Sequence, residues 1–132
     1  MQVSPLLCAA ALTGLAAGAA QAHHSFAVYF DPTKDVTITG KVTQFRFTNP
    51  HGTIVLEVTD AQGKVREWRA ETNAPVVLQR RGWTRTSIKA GETVTIDGWA
   101  SRDGKPYIRL RRVVHEDGRL VGTAPFGEGE QS

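Results

Sequence analysis

Cysteine is almost absent from this chain. The single one, Cys8, falls in the apolar leader, and too few residues precede it for a lipid-attachment signal. Without other cysteines the rest of the protein can form no disulfide, thiolate metal site or cysteine nucleophile. Long hydrophobic runs are missing as well. The one apolar stretch, Pro5–Ala20, is interrupted by Thr13, Gly14 and Gly18 and is short for a membrane span. Catalytic signatures are also lacking. There is no Gly-rich phosphate loop, no metalloprotease helix and no Gly-x-Ser-x-Gly elbow. Ser25, Ser87 and Ser101 have no neighbouring base in sequence. No internal repeat or helical heptad appears.

The leader carries no charged side chain, and all 16 Lys and Arg and all 13 acids follow residue 22. Ala20-Gln21-Ala22 has the small-x-small pattern of a signal-peptidase site. Residues 1–22 therefore read as a cleaved signal peptide, and the protein as periplasmic or secreted. Removing 22 of the 132 residues leaves 110, enough for one domain with one core. The net charge of +3 permits anionic partners without requiring them. Export and the lack of a dense basic patch argue against nucleic acid as a partner.

Residues 23–34 read as an N-terminal arm in which Phe26, Val28 and Phe30 alternate along an extended segment. Asp35–Thr48 has strand periodicity, but its apolar face switches between Val42 and Phe45, which predicts a bulge. Thr53–Thr59 and Lys64–Thr72 are the second and third strands. Asn73 is positioned to cap a short helix ending at Gly82. Thr93–Ser101 and Tyr107–His115 are the fourth and fifth strands, and Leu120 and Val121 add a short pairing. The glycine- and glutamate-containing end, 122–132, reads as a disordered tail. Three strands, a short helix and two more strands predict an all-β OB-fold-like Greek-key barrel over 35–121. An open β-sandwich is the alternative.

Chemistry concentrates at the predicted new terminus. A cut after Ala22 would put an α-amine and an imidazole on His23, with a second imidazole on His24. Such nitrogen donors suit Cu(II). His51, in the loop after the first strand, is the candidate third nitrogen of a histidine brace. A cut after Ala20 would instead give Gln21-Ala22-His23, which binds Cu(II) or Ni(II) in a square plane. The same histidines also fit a solvated chain start and a turn, and His115 reads as a surface histidine.

Glu57, Glu67 and Glu71 could supply a carboxylate pair for acid–base work. Lys64, Arg66 and Arg69 offer the commoner alternative of cross-strand ion pairs. Trp68, Trp83, Trp99, Phe45, Phe47 and Tyr107, with Arg46, Arg69, Arg109 and Arg111, could form a stacking platform. Large aromatics more often fill a core.

Ala22-His23-His24-Ser25-Phe26, Thr48-Asn49-Pro50-His51, Arg80-Arg81-Gly82-Trp83-Thr84 and Lys89-Ala90-Gly91-Glu92 together resemble a family of small secreted bacterial proteins classed as a domain of unknown function. The resemblance covers nearly all of the mature chain. It implies an exported address and the same fold, and it assigns no activity.

The leading expectation is a small periplasmic binding protein that holds copper through His23 with His24 or His51. A metal-free module that holds a protein, peptide or glycan on its barrel face or an exposed strand edge is the alternative. A copper oxidase or oxygenase ranks last, since no substrate groove is legible.

Overall fold

The computed structural model describes residues 26–127 and residue 130. Five strands form one closed barrel: β1 Phe30–Arg46, β2 Thr53–Thr59, β3 Val65–Glu71, β4 Thr93–Ser101 and β5 Tyr107–His115. Their order around the barrel is β1-β2-β3-β5-β4. Every neighbouring pair is antiparallel except β3 with β5, which is parallel. One helix, α1 Pro75–Arg80, lies between β3 and β4. This is the OB-fold-like layout expected from the strand pattern.

β1 is long enough, at 17 residues, to pair with β4 along its first part and β2 along its second. The predicted bulge is present, as a register shift between Val42 and Gln44. Gly40 lets the strand curl there, since a Cβ would come within 2.3 Å of the Glu57 carbonyl oxygen. The core is built from alternating inward residues: Val42, Ile54, Leu56, Ala70, Val94, Ile96, Ile108, Leu110 and Val113 are fully buried. Leu78 of α1 joins that core and Trp83 packs below it. Full burial of a leucine contributes roughly 2–3 kcal/mol, so α1 is held by this contact more than by its own short length.

Three expected details differ. Residues 26–29 are helical rather than extended, and β1 begins at Phe30 instead of Asp35. The aromatic rings explain this: Phe26 and Phe30 lie 5.8 Å apart on one side of the turn, and Phe26 meets Trp99 edge-on at 5.4 Å. Asn73 does not cap α1; Ala74 holds that position without a side-chain bond, and the Asn73 amide donates to the Glu130 carbonyl.

The segment expected to be a disordered tail is packed over residues 122–127. Phe126 is buried, 6.3 Å from the Trp83 ring and beneath the Arg81 guanidinium. Its amide donates to the Arg111 carbonyl at 2.8 Å, and Arg81 donates to the Pro125 carbonyl at 3.2 Å. One aromatic with a prepared site outweighs a polar composition. The expected pairing just before it is also present, as a bridge between Val114 and Leu120.

Candidate functional site

The loop from β1 to β2 carries His51 to the end of β3. Its position is set by Gly52, whose amide and carbonyl bond the Asn73 carbonyl and the Thr72 amide at 3.4 and 2.9 Å. A Cβ at Gly52 would lie 2.5 Å from the Thr72 hydroxyl, so only glycine allows this approach. The preceding Asn49–Pro50 peptide is cis.

Beside His51 the parallel register sets Glu71 of β3 against Arg109 of β5, and Tyr107 follows two residues away on the same face. Arg109 is only 2% exposed and bonds Glu71 Oε1 at 2.5 Å. The Tyr107 hydroxyl donates to Glu71 Oε2. Arg109 also approaches His51 Nδ1 at 3.4 Å, while His51 Nε2 lies 3.7 Å from Glu71 Oε1. Four polar groups from three elements, the β1–β2 loop, β3 and β5, thus form one side-chain cluster in the barrel wall.

The electrostatics follow from burial. Desolvation lowers the His51 pKa, the Arg109 charge lowers it further, and Glu71 and a bond to the Thr72 backbone oppose them without prevailing. His51 is therefore neutral at pH 7. A guanidinium can only donate, so Nδ1 accepts and the ring proton is assigned to Nε2. Burial and then the hydrogen bond to Glu71 raise the Tyr107 pKa. Tyr107 remains a phenol. Burial lowers the Arg109 pKa and Glu71 pulls it back.

The other sequence candidates separate. His23 and His24 lie outside the described residues. His115 is half-buried at the far end of β5, with Nδ1 3.6 Å from Glu92. Glu57 and Glu67 face each other across β2 and β3, both exposed, and Glu67 pairs with Arg69 at 3.2 Å. Glu71 stands apart from them in the buried network. The stacking platform does not form: Trp83, Trp99 and Phe47 are buried. A shift in the β4–β5 register at Asp97–Gly98 leaves Arg111 without a partner on β4 and sends Arg111 and Arg112 outward, away from Arg109. Among the described residues, no group of three or more His, Cys, Asp or Glu could hold a metal ion. None of their helices is long and apolar enough to cross a membrane.

The Glu71–Arg109–Tyr107 network was not singled out in the sequence. Its one trace is polar Tyr107 and Arg109 on alternate positions of a strand whose neighbours are apolar. Only the β3–β5 pairing shows that Glu71 meets them.

Among solved structures, the chain is similar to a small single-stranded DNA-binding protein from Streptomyces coelicolor. They share 20% identity over 65% of this chain and 95% of that one, with a TM-score of 0.47. It is also similar to the ZRD-deleted mutant of TiaS in complex with agmatine, at 17% identity and a TM-score of 0.41. That match covers 72% of this chain but 23% of the other. No ligand is carried over from either. No curated protein sequence matches the chain. The signature set at Thr48–His51, Arg80–Thr84 and Lys89–Glu92 falls within residues 11–108, which match the model of the family of unknown function DUF6152, and the chain belongs to that family.

Proposed function

We propose that the protein is exported, cut after Ala22, and binds Cu(II) at the new terminus as a small periplasmic binding protein. The His23 amine and imidazole supply two nitrogens, and His24 or His51 supplies the next. One observation carries the reading: the first described residues are anchored at the same end of the barrel as His51. Phe26 meets Trp99, and Trp99 stands opposite Arg109 in the β4–β5 register. Arg102 donates to the Ala27 carbonyl at 2.7 Å and to the Tyr29 carbonyl at 2.9 Å. Phe30 packs 5.2 Å from Tyr107, whose hydroxyl reaches Glu71 beside His51. Three residues of chain upstream of Phe26 reach at most roughly 10 Å.

His51 fits the part in one respect and resists it in another. It is neutral, as a ligand must be. Its Nδ1 faces the Arg109 guanidinium, whose charge opposes a second cation. Binding through Nε2 would require the other tautomer, with the ring proton moved to Nδ1 and the hydrogen bond from Arg109 given up. His24 is the competing third ligand.

A native mass spectrum of protein purified from the periplasm without chelator tests the reading. The expected mass begins at His23 and includes one copper. A different start, or a chain that takes up no copper on addition, overturns it. His23→Ala removes most tight Cu(II) binding; unchanged affinity overturns the assignment of His23. Comparing His24→Ala with His51→Ala decides the third nitrogen. Because the amine must lose its proton, affinity falls as pH falls.

A further inference from the structure

The barrel closes weakly at one seam. β3 and β5 pair over only Arg69–Glu71 and Tyr107–Arg109. Before Tyr107 the incoming loop turns away: Gly104 has a φ of 73°, and the Tyr107 amide donates to the Lys105 carbonyl at 2.7 Å. The first half of β3 therefore has β2 on one side and an open edge on the other.

Two hydrogen bonds fix which residues face that edge. The Thr72 amide points to β2, bonding the Gly52 carbonyl, and the Arg69 amide points to the seam, bonding the Pro106 carbonyl at 3.1 Å. Backbone direction alternates along a strand. Val65 and Glu67 thus turn both amide and carbonyl toward the open edge, where they have no backbone partner among the described residues. Val65 is also 55% exposed, unusual for a valine in a strand.

The divergence of the two strands opens a pocket of about 410 Å³ alongside this edge, lined by Thr53, Glu67, Arg69, Lys105, Pro106 and Tyr107. Two cations, Arg69 and Lys105, are among its lining residues. Arg69 is tied to Glu67 and Lys105 to Asp103, both at the surface. Exposed ion pairs of this kind are worth little and exchange readily with another carboxylate.

We propose that this edge takes an extended acidic peptide segment of another protein as an added strand. The peptide backbone bonds Val65 and Glu67, and an acidic side chain enters the pocket between Arg69 and Lys105. Main-chain bonds then supply affinity, and the pocket supplies selectivity. The edge is short and carries the charged side chains of Arg66 and Glu67, which admits one strand and discourages continued sheet growth. This surface uses no residue before Phe26, so it stands or falls independently of the copper reading.

The test is amide NMR of the full mature chain titrated with a blocked hexapeptide of alternating glutamate and valine. Val65 and Glu67 amides are expected to shift and gain exchange protection. Methylating the peptide nitrogens on its pairing side weakens binding by roughly tenfold or more, as expected when such bonds are lost. Replacing its glutamates by glutamine weakens it too, as does Arg69→Glu with the fold unchanged by its NMR spectrum. Shifts elsewhere but not at Val65 and Glu67, or equal binding of the methylated peptide, overturn the proposal. So does preference for a single-stranded oligonucleotide at the same amides.

Discussion

At the residue scale, Arg109 is the position most exposed to failure. A guanidinium this deeply buried tolerates its site because Glu71 neutralises it and accepts from it, with His51 Nδ1 as a further acceptor. Removing one partner of a buried pair leaves an uncompensated charge, which costs about 3–5 kcal/mol. Glu71→Ala should therefore lower the urea midpoint sharply. Replacing both members, as Glu71→Leu with Arg109→Met, should recover much of that loss. A single-variant loss under about 1 kcal/mol would mean that Arg109 finds another partner or water. Tyr107→Phe removes only one bond and should cost about 1 kcal/mol. The polar identity of these residues was readable, but their convergence was not. Glu71 and Arg109 are far apart in sequence, and only the parallel pairing of β3 with β5 makes them neighbours.

At the element scale, the segment 122–127 separates composition from structure. It reads as a polar tail, yet its backbone bonds β5 at Arg111 and Phe126 packs on Trp83. Two residues make that possible. Phe126 supplies an apolar ring, and Gly122, at a φ of 78°, passes so close to Trp83 that a Cβ would sit 2.4 Å from the indole nitrogen. Phe126→Ala should cost about 3 kcal/mol, in the range for a buried phenylalanine. It should also shift Trp83 fluorescence to the red. Gly122→Ala should act in the same direction, since it combines a clash with an unfavourable backbone angle. A free tail would leave both midpoints unchanged. The β1 bulge is the contrasting element. Its apolar parity switch lies within one strand, so local pattern sufficed to predict it.

For the whole molecule, acid stability reports on the buried network. The folded His51 pKa lies below the ordinary imidazole value of 6.5, with burial the main cause. Between the folded and unfolded pKa values the unfolded chain binds more protons, so stability rises with pH there. The His51 contribution is complete above about pH 6.5 and is lost as pH falls from there through the folded pKa. Unfolding measured in chelator from pH 7.5 to 5 should show this decline, and His51→Gln should flatten it. An unaltered profile in that variant would assign the decline to other groups.

Strand count, strand spacing, the helix position and the OB-fold-like class were set by the chain itself, because inward alternation and turn residues act over a few neighbouring positions. The same local chemistry marked His51 as a loop residue and Gly82 as a helix stop; the latter has a φ of 80°. Tertiary structure alone decided which distant residues meet. It joined β3 to β5, buried Arg109 against Glu71, docked Phe126 on Trp83 and left Val65 and Glu67 on an open edge. Those outcomes depend on which strands close the barrel and over how many residues. A period-two pattern states which way a side chain faces but not which strand it will face.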